Sequence, residues 1–283
     1  MPPRIVDAHQ HFWDADRYHW PLLDRPGSAV ARRYEVDDLL ADAAAWDLAK
    51  SVHLQGEIGR EHTLDETVWL QQTADQRGFP HAIVAYAPLQ DPNVGSVLEQ
   101  HAHYQNVRGI RQILNPDQCE RSDYLTDAQW QAGYAQLARF DMSFDFQIDP
   151  EQMPDAARLA ERHPDIPIIL NHTGMPRDRS ADGRARWRAG LRALAALPHA
   201  SIKISGFAMF DRPVTAETIK PYVRDAIDIF GTERAMFASN FPVDRAWTTW
   251  DQVFGAFDTL TADFAEPERA ALFATNAERI YRI

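Results

Sequence analysis

Short apolar or β-branched runs alternate with longer helical stretches along the whole chain, and this alternation restricts the fold more than any other feature. Parallel strands need long crossover connections, so an unbroken alternation is the signature of consecutive βα units. The strand-like runs are residues 5–11, 51–55, 82–87, 109–114, 143–148, 166–171, 201–205 and 235–239. Helical patterns fall between them, for example at 65–76, 128–139, 184–197 and 217–230, and a last one at 267–279 closes the chain. In the third of these, Trp187, Leu191 and Leu194 follow the i, i+4, i+7 spacing of one buried face. Eight units of this kind predict an α/β fold, a single-domain (β/α)8 TIM barrel over residues 1–283. An open doubly wound sheet would want a glycine-rich phosphate loop after its first strand, and none is present.

Composition narrows the function. A chain of 283 residues, 45% hydrophobic, can bury one large core. A formal net charge of −12 argues against nucleic acid, which needs a basic surface. No apolar run approaches a membrane span, and the N-terminus runs straight into the first strand, so neither an anchor nor a signal peptide is expected. The single cysteine, Cys119, excludes an internal disulfide framework, fits a reducing compartment and reads as an inert thiol. These features predict a cytoplasmic enzyme with a small-molecule substrate and no nucleic-acid or membrane partner. Whether it forms a homo-oligomer is left open.

In such a barrel the active site lies at the C-terminal ends of the strands. The first strand carries Val6-Asp7-Ala8-His9-Gln10-His11-Phe12, and strand alternation puts His9 and His11 on one face, roughly 7 Å apart. Two imidazoles held that way can chelate one divalent ion or grip one substrate oxygen. The bland alternative is a pair of strand histidines satisfied by each other and water. The other strand ends supply Glu57, Arg111, Gln147, His172, Lys203, Ser205 and Asn240. So many polar groups at one end favour a site. The remaining histidines, among them His53 and His101, read mostly as surface or capping residues. Trp13, Tyr18 and Trp20 wall a pocket or pack down the first loop. Arg177 and Arg179, in the loop after residue 172, either bind an anion or form a solvated basic loop.

Several segments together carry a family resemblance: Asp7-Ala8-His9-Gln10-His11-Phe12-Trp13, Gly109-Ile110-Arg111, Asn171-His172-Thr173-Gly174, Lys203-Ile204-Ser205-Gly206 and Ala238-Ser239-Asn240-Phe241-Pro242-Val243. In this order and at these strand ends the chain resembles the amidohydrolase superfamily, in the branch of small TIM-barrel lactonases that includes sugar lactonases and 2-pyrone-4,6-dicarboxylate lactonase. The resemblance implies a hydrolase opening a small polar lactone, an aldonolactone or a carboxylated lactone. It implies catalytic roles for His9, His11 and His172, with an eighth-strand aspartate at the position of Asn240. It also implies at most one divalent metal, zinc being the expected ion, on His9, His11 and His172. The Lys and His that hold a second ion in two-metal relatives are replaced by Gln112 or Leu114 and by Gln147. The lactonase branch also works without a metal, and Arg111, aided by Lys203 and Ser205, would then polarise the carbonyl. Other members are metal-dependent decarboxylases, and a barrel that binds a metabolite without turning it over is the alternative from another class.

Asn240 departs from the pattern in a way that matters. An amide has no titratable proton and cannot serve as the base that takes a proton from water. Asp244, four residues on, is the expected substitute, with Glu57 second. The bland reading of Asp244 is a helix N-cap or an ion pair with Arg245.

Overall fold

The first apolar run folds as strand β1 (Arg4–Gln10) in the computed structural model, which describes residues 2–24, 33–56, 58 and 62–283. A two-residue antiparallel ribbon, β2 (Trp13–Asp14) with β3 (Arg33–Tyr34), follows in the first loop. The chain then runs through β4 (Asp47–Leu54), β5 (Ala82–Ala85), β6 (Val107–Ile113), β7 (Ser143–Gln147), β8 (Ile168–Leu170), β9 (Ala200–Ile204) and β10 (Ala235–Phe237). Strand β1 and strands β4 to β10 lie parallel, each beside its neighbours in sequence. The sheet curls until its edges meet just past β10. There the Asn240 amide donates to the His9 carbonyl at 2.9 Å, and the His11 amide to the Phe241 carbonyl at 2.8 Å. Among the described residues this is the eight-stranded barrel that the alternation predicts.

Helices α1 (Val36–Asp42), α2 (Thr63–Arg77), α3 (Val94–Ala102) and α4 (Ala128–Ala135) follow the first four barrel strands. Helices α5 (Met153–Glu161), α6 (Ala181–Ala195), α7 (Ala216–Phe230) and α8 (Trp250–Leu260) follow the next four. Asp127, Ser180, Thr215 and Thr249 cap four of them, each side chain accepting a backbone N–H of the first turn. The chain closes with α9 (Glu266–Ala270), a wide turn at Ala271–Thr275 and α10 (Asn276–Tyr281). No helix of the described residues is long and apolar enough to cross a membrane.

Two apolar layers result, because parallel strands are buried on both faces. Outward-facing Phe144, Ile202 and Phe237 pack under the helices, while Val6, Val52, Val84, Ile169 and Met236 gather with Tyr281 of α10 in a second cluster. The strands end earlier than their apolar runs suggest: Asn171, Ser205 and Ser239 lie past the last ladder residue of their strands. The chain leaves the sheet there to form the mouth. Strand β4 begins four residues earlier than read, because Asp47 and Leu48 pair with Arg4 and Ile5 although the stretch is polar and half-buried.

Candidate active site

At the mouth, His9 and His11 come together as the strand spacing predicts. Their Nε2 atoms are 3.3 Å apart, and both rings are buried. The Nδ1–H of His11 donates to the Leu54 carbonyl at 2.7 Å, because a carbonyl can only accept, so the His11 lone pair sits on Nε2. The His172 ring lies 4.4 Å from the His9 ring between centroids, and its Nδ1 meets the Ser205 hydroxyl at 3.3 Å. His172 has φ 51 and Thr173 φ 56, a sharp turn that brings the ring over the barrel. Gly206 (φ 75) permits this packing, since a Cβ there would approach His172 Nδ1 to 2.8 Å. Burial first, then the surrounding positive charges, holds all three histidines well below the usual imidazole range, so they are neutral at pH 7.

Arg111 enters the same space from β6. Its Nη1 lies 3.4 Å from His9 Nε2 and donates to Gln147 Oε1 at 3.1 Å, while Nη2 donates to the Gln55 carbonyl at 2.5 Å. Lys203 points into the barrel rather than outward. It sits one same-face step below Ser205, where its Nζ pairs with Asp145 Oδ2 at 2.7 Å, both residues fully buried. The Tyr281 hydroxyl and the Asn171 amide also donate to Asp145. Desolvation brings the Lys203 ammonium down to about 8. Lys203 therefore reaches the histidines through its field, its own hydrogen-bonding end being engaged by Asp145.

Asn240 and Asp244 form a unit. The Asn240 side-chain amide donates to Asp244 Oδ1 at 2.8 Å, and the Ala208 amide donates to Oδ2 at 3.1 Å. Asn240 has φ 59, a conformation that asparagine tolerates better than most residues, and it turns the chain back toward Asp244. Neither bland reading of Asp244 describes this geometry, since Arg245 pairs instead with Asp42 at 3.0 Å. Burial pushes the Asp244 carboxyl up to about 7.

Two imidazole nitrogens on one tetrahedral ion, each bonded at the usual zinc distance, stand about 3.3 Å apart. The 3.3 Å between His9 and His11 fits that pair of ligands. Among the described residues no three His, Cys, Asp or Glu side chains are gathered as a metal cage, and His172 faces Ser205 instead.

Glu57 lies outside the described residues. In the loop after His172, Arg177 pairs with Asp117 at 2.7 Å and Asp149 at 3.3 Å, and Arg179 with Asp211 at 2.5 Å. Trp13 and Trp20 pack down the first loop, their rings 6.3 Å apart and buried. His53 and His101 are the residues the sequence reading misplaced. Both are fully buried, His101 between Thr67 and the Tyr86 carbonyl, and His53 beside Glu66 at 3.4 Å. The signal for His53 was its place on a strand two residues before Gln55, on the scaffold of the mouth.

A family model described as amidohydrolase matches residues 6–283. An uncharacterised protein of Sinorhizobium fredii is 41% identical, covering 99% of this chain and 98% of that protein. L-fucono-1,5-lactonase of Burkholderia multivorans is 31% identical over 98% of this chain and 96% of its own length. Among solved structures, an amidohydrolase from Burkholderia multivorans with bound zinc is similar with a TM-score of 0.86 at 30% identity, covering 99% of both chains.

Proposed function

The chain belongs to the amidohydrolase family, and from that premise we propose that it opens the ring ester of a small polar lactone by attack of water at the barrel mouth. The substrate class is an aldonolactone or a carboxylated lactone. The observation that carries this reading is a buried carboxyl poised near neutrality, Asp244, tied to Asn240 at the same strand ends as three neutral histidines and an arginine. A general base works best when its pKa lies near the working pH.

Asp244 takes the proton of the attacking water as the new C–O bond forms. Asn240 cannot take that proton, but its amide holds the carboxylate in one orientation. Arg111 stabilises charge growing on the carbonyl oxygen, a role typically worth about 3 kcal/mol per donor in a closed site. His172, engaged through Nδ1 by Ser205, keeps Nε2 for the substrate. As the ring C–O bond breaks, Asp244 returns its proton to the leaving alkoxide and the product is a hydroxy acid. A single zinc bound through His9 and His11 would add Lewis-acid polarisation of the carbonyl.

Turnover on a panel of aldonolactones and carboxylated lactones tests the reading. The wild-type kcat/KM should rise with pH through about 7, the region of the Asp244 carboxyl. Asp244→Asn should flatten that limb and lower the rate by about a hundredfold or more. An unchanged profile and rate in that variant would remove Asp244 from the mechanism and make Glu57 the next residue to replace. Carbon dioxide release from carboxylated substrates without ring opening would move the assignment to a decarboxylase.

A further inference from the structure

Beneath the mouth, His53 of β4 and Glu66 of α2 form a buried couple that takes no part in the chemistry described above. Their side chains are almost wholly inaccessible, with His53 Nε2 3.4 Å from Glu66 Oε1. The Phe12 amide donates to His53 Nδ1 at 3.0 Å, so the imidazole proton lies on Nε2, facing the carboxylate. Glu66 Oε1 also accepts the Gly56 amide at 2.9 Å. Gly56 is packed so closely against Trp20 that a Cβ there would lie 2.6 Å from the indole ring. The couple thus clamps two backbones at once: the residue after His11 and the turn after β4.

That turn carries the carbonyls on which two site residues rest. The Leu54 carbonyl accepts His11 Nδ1–H at 2.7 Å, and the Gln55 carbonyl accepts Arg111 Nη2–H at 2.5 Å. A shift of this backbone by a fraction of an ångström would release the His11 tautomer and turn the guanidinium together. A buried glutamate is costly to keep, and the contacts of this one among the described residues are the Gly56 amide at 2.9 Å and the His53 imidazole at 3.4 Å. We propose that His53 and Glu66 are positioning residues, which set the tautomer of His11 and the place of Arg111 by fixing the Leu54–Gly56 backbone. The inference rests on the reading of His11 and Arg111 as groups of the active site.

The test uses the full chain with nitrogen-labelled histidine, read by imidazole nitrogen NMR and by lactone kinetics. Wild type should show His11 as a single Nδ1–H tautomer. Glu66→Ala should convert that signal to a mixture and lower kcat at least tenfold, with KM within threefold. Glu66→Gln keeps an acceptor for Gly56 and should retain both the single tautomer and most of kcat. If Glu66→Ala does not fold, His53→Asn serves, since it keeps an acceptor for Phe12 but loses the reach to Glu66; it too should give mixed tautomers. A single wild-type tautomer in the folded variants overturns the assignment, whatever their activity. Should wild type open no lactone at all, the spectra alone decide the positioning role, and it is the functional reading that falls.

Discussion

His9 and His11 show how much a single position depends on its partners. The His11 ring is fixed by one carbonyl, and the lone pair thereby exposed lies 3.3 Å from His9 Nε2, which is itself 3.4 Å from a guanidinium nitrogen. Removing either imidazole takes away half of a potential metal pair, and removing His9 also takes away a neighbour of the Arg111 guanidinium. Replacing His9 or His11 with Ala should therefore lower lactone turnover at least about a hundredfold, the scale of losing carbonyl stabilisation, while the far-UV circular dichroism stays native. Zinc uptake, followed by titration, should weaken in both variants. Wild-type turnover in both would take the pair out of the site. The pairing of these residues was legible from strand alternation alone. The couple of Asn240 with Asp244 was legible only as a chemical need, because a residue four places along a loop reaches back only when the backbone adopts a positive φ.

At the scale of elements, the weakest part of the barrel is its seam. Strand β10 has only three residues, and the ladder between it and β1 reduces to one isolated bridge, Gln10 to Phe241, with two flanking hydrogen bonds. The Asp7 carboxylate supplies what the short strand cannot. It accepts the Ser239 amide at 2.9 Å, the Ser239 hydroxyl at 2.5 Å and the His9 amide at 3.2 Å. These contacts hold both His9 and the residue before Asn240. Asp7→Ala leaves buried donors without partners, each costing about 1–3 kcal/mol, so denaturant unfolding should show a loss of several kcal/mol. Asp7→Asn should lose less. Equal stability of the alanine variant and wild type would show that the backbone bonds close the seam unaided. The opposite end of the barrel is braced differently, with Glu278 of α10 bonded to Arg4 and Lys50, each at 2.7 Å.

The molecule as a whole carries an unusual set of buried ionisable groups, and their signs oppose one another. His9, His11, His53 and His172 are held well below the usual imidazole value by burial, and His101 is lowered to about 4. The unfolded chain binds more protons at these sites below about pH 6.5, so the stability tied to their neutral forms is lost as pH falls. Asp7, Glu66 and Asp244 are raised by burial to about 6, 7 and 7. Folding binds protons there, so the stability they contribute when protonated is lost as pH rises through 6 to 7. The five histidines outweigh the three carboxyls up to about pH 7, because an imidazole in the unfolded chain is still partly protonated there, and Lys203, lowered to about 8, works in the same direction above that. The melting temperature should therefore climb steeply from pH 5 to about 7 and change little from there to pH 8. A melting temperature that stays flat or falls between pH 5 and 7 would contradict the neutral buried histidines.

The sequence by itself determined the barrel and the address of its mouth. Alternating apolar runs and helical stripes are local, periodic signals, and eight of them admit one economical closure. It also determined which residue types face the mouth on strands that stay regular, as for His9, His11 and Arg111. Only the tertiary structure decided which carboxyls are buried, because burial depends on what a neighbouring strand or helix places on top. Asp145 meets Lys203 and Tyr281 across 58 and 136 residues of chain, and His53 meets a glutamate on the next helix. Nothing in the local pattern distinguishes such a carboxyl from a solvated one. The difference lies in desolvation, which no residue carries alone.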